Sequence, residues 1–354
     1  LVLVLMNVAT VFDLLDVDSK ATQIAEEYLA AAAWGAPAVI FYVTLRYVFE
    51  GLGQTRPPMW IAGAMIPING LLNYVFVYGK FGFPELGGVG CGYATAIIFW
   101  LELIIMLVVC RMPVFANLGA FRHFEWPMVQ SIKSILIIGV PIGLAVFFEM
   151  AVFSVVGILI ARIGVVEIAA HSIAGNLNWA TYVIPAALGN AASIRTGYHV
   201  GARNFLAARA TSAAIYKFFL LYAVAMSIIL LLARYQLIFI FTTDIIVVEL
   251  TATLVLFIAA YQLVDGSNAV AVGALRGYKD TRFPLYVGLV GFWGIAVPLG
   301  YLLAEGILLP GFAPGIYGYW SALTLGLTIV GIAMALRLWH ISGNERKILK
   351  FADT

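Results

Sequence analysis

Charge is what this chain has least of: Asp, Glu, Lys and Arg make up 11% of its 354 residues, against about 25% in soluble globular domains. The net charge of +2 leaves no basic footprint for nucleic acid. Cysteine is nearly absent. Cys91 and Cys110 lie in one apolar run, near its opposite ends if that run is helical, so no disulfide between them is expected. Four histidines are scattered and form no His/Cys metal spacing. No nucleophile–base pair and no phosphate-binding glycine loop appears, which argues against a membrane enzyme. No repeated filter sequence suggests a channel, and no ten-residue alternation suggests a transmembrane β-barrel.

What the chain has in excess is apolar length. It is 63% hydrophobic with a mean hydropathy of +1.00, and the apolar residues gather into runs. A bilayer core takes about 20 residues per helix. Ten segments result: 1–12, 29–50, 58–78, 89–111, 135–160, 167–193, 210–233, 245–275, 284–303 and 315–338. Each is expected to be helical, because backbone groups facing lipid must be satisfied within the segment. The expected class is therefore an all-α polytopic membrane protein. The longest connection, with Arg122, His123, Glu125 and Lys133, reads as a surface linker between halves. The expected layout is an N-terminal lobe over 1–112, a cytoplasmic linker over 113–134, a six-helix lobe over 135–340 and a cytoplasmic tail over 341–354.

Basic residues set the orientation. One side collects Arg46, Arg56, Arg111, Arg122, Lys133, Arg195, Arg203, Arg209, Lys217, Arg276, Lys279, Arg282, Arg337, Arg346, Lys347 and Lys350. The other keeps Lys20, Lys80, Arg162 and Arg234. The richer side, with the C-terminus, is expected to be cytoplasmic. An internal repeat accompanies this bias. Gly51, Thr55, Arg56 and Pro58 match Gly277, Thr281, Arg282 and Pro284 at an offset of 226. Gly88-Val89 and Gly315-Ile316 match at 227. A unit of six helices is even, so the two bundles are parallel rather than inverted. The first segment, cut short before Asp13, reads as the tail of a helix. The offset then calls for about two further helices ahead of Leu1, giving twelve in all.

Several stretches carry a specific likeness. Leu72-Asn73-Tyr74-Val75-Phe76-Val77-Tyr78-Gly79, Pro84 to Gly92, Phe147-Phe148-Glu149, Ala169-Ala170-His171, Ser193 to Gly197 and Leu275 to Asp280 resemble the NorM-type branch of the multidrug and toxic compound extrusion (MATE) antiporters. The resemblance runs over nearly the whole chain. It implies two six-helix lobes in a V around a central cavity. It also implies expulsion of cationic small-molecule drugs in exchange for Na⁺ or H⁺, without a cofactor, by a monomer in a bacterial inner membrane.

A charge at mid-bilayer costs about 2.5–3.5 kcal/mol on insertion scales, so mid-span acids are the candidate site residues. Three stand out: Glu102, Glu149 and Asp265. Glu26, Glu27, Glu50 and Glu249 lie nearer span ends and read as interfacial. Tyr261, Asp265 and Asn268 share one helical face, offering carboxylate, phenol and amide oxygens to a hard cation. A carboxylate withdrawn from water can also hold a proton. Glu149 follows Phe147-Phe148 at mid-span and belongs to the same half as Asp265. The resemblance matches Asp265, Glu149 and Tyr261 to cation-coupling positions and so to a possible Na⁺ site. It lends no role to Glu102, where the family tends to be apolar. Asn176, Asn178 and Asn190 give segment 167–193 a polar inward face, with His171 near its outer end. Ser172 stands where the family often has Gln. Pro37, Pro67 and Pro185 interrupt spans. The alternative of a flippase for lipid-linked precursors calls for a basic cavity, and the mid-span groups are acidic.

Overall fold

The computed structural model describes residues 19–112, 126, 128–308 and 314–352. The expected segment 1–12 and the linker residues Arg122, His123 and Glu125 lie outside these. Every regular element among the described residues is helical, as apolar runs with internally satisfied backbones require. The helices are α1 (Ser19–Ala33), α2 (Ala36–Gly51), α3 (Arg56–Tyr78), α4 (Gly88–Arg111), α5 (Val129–Ala161), α6 (Val165–Gly201), α7 (Phe205–Phe239), α8 (Ile245–Gly277), α9 (Arg282–Ala304), α10 (Ile316–Ser342) and α11 (Glu345–Ala352). The chain forms two compact units, residues 1–126 and 127–354. Among the described residues seven helices are long and apolar enough to cross a membrane, and the α1–α2 pair makes an eighth if it is counted as one broken span.

In the first unit, segment 29–50 departs from expectation. It is two helices meeting at 49°. The corner sits against α4: a Cβ on Gly35 would come within 2.8 Å of Phe99 and 2.9 Å of the Ala96 backbone, so only glycine lets the corner press on α4. Pro37 then opens α2, where its missing N–H costs no hydrogen bond. Glu50 also differs from the interfacial reading. It is only 8% exposed and accepts from Arg46 Nε at 2.6 Å. Glu102 is half-buried and feels the charge of Arg46, the cation that pairs with Glu50.

In the second unit α8 is the axial helix, buried on nearly every side. Asp244 caps it by accepting from Ile246 N at 2.9 Å. Helix α6 crosses α8 through glycines: a Cβ on Gly273 would lie 2.0 Å from Gly189 O, and one on Gly189 would lie 2.5 Å from Ala269 O. Small residues permit backbone approach where no hydrophobic force draws helices together. Helix α6 extends well past the expected 193 to Gly201 and, with its His, Asn and Arg residues, is not among the strongly apolar spans. Helices α3, α5 and α6 continue through Pro67, Pro141 and Pro185. The C-terminal stretch, read as a tail, holds α11, whose Ile348 is fully buried.

The repeat is visible in backbone geometry. Leu52 N, Gly53 N and Gln54 N donate to the carbonyls of Val48, Glu50 and Phe49; Tyr278, Lys279 and Asp280 donate to those of Ala274, Arg276 and Leu275. That is the same turn at an offset of 226. Gly87 and Gly315, with φ/ψ of 52/−133° and 62/−133°, open α4 and α10. The geometry therefore pairs Gly315 with Gly87 rather than Gly88. Between these landmarks Gly79 and Gly306 take left-handed φ values of 61° and 66°, an offset of 227. One residue has been gained inside α9, and residues Leu289–Ala296 there form a π-helix. A turn closed i→i+5 holds one residue more than an α turn.

Candidate functional site

Four helices of the second unit line a cavity of about 220 Å³. Helix α5 supplies Glu149, Met150 and Phe153; α6 supplies His171, Gly175, Asn178, Trp179 and Tyr182; α8 supplies Tyr261 and Asp265; α10 supplies Trp320, Leu323 and Leu327. Two acids separated by over a hundred positions thus share one chamber. Asp265 is 5% exposed and Glu149 is half-buried. Asp265 feels the charge of Glu149, and Glu149 feels that of Arg276.

Neither carboxylate accepts a hydrogen bond from a described residue. Three more polar atoms on the lining residues also lack a partner there: His171 Nδ1, Asn178 Oδ1 and Trp320 Nε1. Burying such atoms unpaired costs about 1–3 kcal/mol each. The chamber therefore gathers acceptors and donors that no described residue satisfies. Aromatic rings form its other wall. Trp320 stacks on Tyr261 at 6.3 Å and 24°, and His171 stands edge-on to Trp320 at 5.7 Å.

The neighbouring polar groups are satisfied and brace the lining. Thr181 donates to Asn178 O at 2.9 Å and reaches Gln262 Oε1 at 3.2 Å, while Tyr222 OH donates to Thr181 O at 2.7 Å. Glu149 is held through its neighbour: Trp293 Nε1, in the π segment of α9, donates to Phe148 O at 3.1 Å, and the two rings meet edge to face at 6.2 Å.

Of the residues expected at the site, Asp265, Glu149, Tyr261 and Asn178 come together. Asn176 is exposed and off the lining, because two positions along a helix turn a side chain through about 200° from Asn178. Asn268 is buried yet also off the lining, with Oδ1 unpartnered; its i+3 step carries it past the cavity edge. Sequence reasoning underrated His171 and missed Tyr182, Trp179 and Trp320. Tyr182 and Trp179 continue the Gly175/Asn178 face at helical spacing, which could have revealed them. Trp320 carries no sequence signal of its own.

A protein-family model described as MatE matches residues 1–75 and 141–302. The multidrug resistance protein MdtK of Proteus mirabilis is 37% identical over 336 residues, covering 94% of this chain and 73% of that protein. The probable multidrug resistance protein NorM of Shewanella oneidensis is 39% identical over 320 residues, covering 89% and 68%. Among solved structures, the eukaryotic MATE transporter AtDTX14 superposes with a TM-score of 0.86 at 20% identity, over 99% of this chain and 77% of that one. A MATE structure in a bent conformation gives 0.83 at 18% identity, over 100% and 76%. A family model over most of the chain, with relatives above a third identical along nine-tenths of it, places this chain in the MatE family of membrane transporters, not among enzymes.

Proposed function

We propose that the protein exports organic cations, drugs among them, in exchange for inward-moving Na⁺ or H⁺. Asp265 and Glu149 are the groups that bind the coupling ion, with Tyr261 and Asn178 as further oxygen ligands. The observation that carries this reading is the convergence of two carboxylates, unneutralised by any hydrogen bond from a described residue, on one small aromatic-walled chamber. Oxygen ligands suit a hard cation such as Na⁺. A proton on one carboxylate relieves the repulsion between the two equally well, and their titration is then a property of the pair. Rings of Trp179, Tyr182, Tyr261 and Trp320 suit a flat or quaternary cation. Drug and ion thus compete for the same negative charge, which gives exchange. A chamber lined by acids repels phosphate head groups, so flipping of lipid-linked precursors is disfavoured. The basic bias of alternate loops supports a cytoplasmic C-terminus in the bacterial inner membrane, and the relatives' names support multidrug efflux.

The test is efflux of a fluorescent cationic dye from cells expressing the protein, at matched membrane levels, with imposed Na⁺ or pH gradients. Asp265→Asn and Glu149→Gln are each expected to lower efflux at least tenfold. Wild-type efflux unaffected by both gradients, or full efflux by both variants, overturns the reading.

A further inference from the structure

The third mid-span acid, Glu102, lies in the first unit and is not among the residues lining the acidic chamber. It sits on α4 nine residues short of Arg111, about 14 Å along the helix, a depth at which a lone charge is costly. Helix α2 turns three ionisable side chains toward it, Tyr42, Arg46 and Glu50, whose four-residue spacing sets them on one face. Leu103 and Met106, on α4 beside Glu102, pack with Tyr42 in one buried cluster. The charges in this patch do not balance. Arg46 Nε is engaged by Glu50 Oε1 at 2.6 Å, so two carboxylates share one guanidinium. Glu102 makes no hydrogen bond and no close ion pair with any described residue.

Tyr42 adds an independent observation. It is 3% exposed, and its hydroxyl is buried without a hydrogen-bond partner among the described residues. The charge it feels most is that of Glu102, ahead of Arg46 and Glu50. A phenol and a carboxylate, both unpaired, thus lie within each other's influence where an unmade hydrogen bond is expensive. A protonated Glu102 settles both: its carbonyl oxygen accepts from the phenol, and Arg46 and Glu50 are left in balance. A metal ion suits the patch poorly, because hard cations gather about six oxygens or more, Glu50 is already engaged, and the guanidinium repels a second cation. The other helices packed on α4 do not alter this balance. Helix α1 brings Tyr28, with Glu26 and Glu27 before it, to the first turns of α4 near Gly92. Helix α3 has Tyr74 and Tyr78 at that same end, near Gly90, and Arg56 at the other. On α4 itself Cys91, Tyr93, Cys110 and Arg111 are at least two turns away from Glu102.

We propose that Glu102 is a proton-binding group of the first unit, with the Tyr42 hydroxyl donating to it and the Arg46–Glu50 pair standing beside it as a neutral neighbour. The step is a plain transfer. A hydronium ion gives its proton to a Glu102 carboxylate oxygen and leaves as water, and the patch loses its excess negative charge. Neutralisation by a proton is the usual recourse of a carboxylate that has left water without a matched cation. Glu102 is half-buried rather than sealed, so the proton has a way in. The assignment is independent of the ion-coupling reading, which concerns Asp265 and Glu149 in the second unit.

The experiment is infrared difference spectroscopy of the protein in lipid vesicles as pH is lowered, reading the carbonyl stretch of protonated carboxylic acids, alongside thermal unfolding. Glu102→Gln should lose one component of that band completely, and Asp265→Asn should keep the same component. Tyr42→Phe retains the ring and its packing but removes the hydroxyl, so the component should persist and move to higher wavenumber as its carbonyl loses a donor. Glu102→Gln exchanges a neutral acid for a neutral amide and should hold Tm, whereas Arg46→Gln strands Glu50 and should lower it. The proposal fails if Glu102→Gln keeps every component of the band, or if Tyr42→Phe leaves them all unmoved. A Tm loss in Glu102→Gln as large as that in Arg46→Gln would mean a charged carboxylate serving a structural pair, and overturns it too. Erasure of the Glu102 component by Na⁺ at fixed pH assigns the group to a metal ion and overturns the proton assignment.

Discussion

Gly273→Ala is the sharpest perturbation of the acidic chamber that touches none of its lining. The added Cβ would lie 2.0 Å from Gly189 O and 2.5 Å from Gly189 C, backbone atoms that no rotamer change can move; ordinary contact begins near 3.4 Å. Helices α6 and α8 must therefore part by more than 1 Å at their crossing. Those two helices carry Asn178, Tyr182, Tyr261 and Asp265, so the two halves of the oxygen set separate with them. Overpacking of this kind costs about 1–3 kcal/mol. At about 2–4 °C per kcal/mol for a body of this size, Tm should fall by at least 2 °C. A misplacement near 1 Å at a site can cost about 100-fold in rate, so dye efflux should fall more than stability does. Gly143→Ala is the control: it lies in α5, where an added Cβ meets nothing within 4 Å, and helix propensity favours the alanine. Equal Tm and equal efflux for the two variants would refute the argument that glycine contact sets the chamber's width.

Two further outcomes follow from contacts in the same unit. Arg337→Ala strands Asp280, buried at 3% exposure, and should cost about 3 kcal/mol in thermal unfolding; adding Asp280→Asn should recover part of it, and no recovery would mean that Arg337 acts through its packing on Phe283. Trp293→Phe keeps a ring beside Phe148 but removes the indole N–H to its carbonyl, for about 1 kcal/mol. Trp293→Leu should cost more, since the edge-to-face ring contact goes too; Tm values in the reverse order would show that the ring pair carries little.

Much of this architecture was legible in the apolar runs, because lipid leaves helix as the one open solution for a spanning backbone. Ends were less legible. Helix α6 reaches Gly201 and α5 starts at Val129, since polar and charged residues prolong a helix beyond the hydrocarbon without changing its hydrogen bonding. The corner at Gly35 was hidden because what it packs against, Phe99, is distant in sequence. Asp265 and Glu149 were legible as costly charges. Their meeting with Trp320 was not, because an aromatic in an apolar run looks the same whether it faces lipid or a chamber. Glu50 misled for the converse reason: proximity to a span end says nothing of an Arg46 one turn back.

The π segment of α9 has a consequence for the ancestry of the two halves. If a duplicated hairpin gave rise to α3 and α9, the second copy acquired one residue that the first lacks, and the helix absorbed it as a bulge instead of expelling it into a loop. In an unbroken α-helix an inserted residue would turn everything beyond it by about 100° about the helix axis, whereas a turn that holds one residue more takes the insertion up and leaves the residues beyond it on their former faces. The outer ends of α3 and α9 therefore still correspond, at an offset of 227 in place of 226, as the matching turns Lys80 N to Val75 O and Ile307 N to Leu302 O show. The duplicate has kept its correspondence at both ends, and the difference between the copies is gathered into the bulge that holds Trp293.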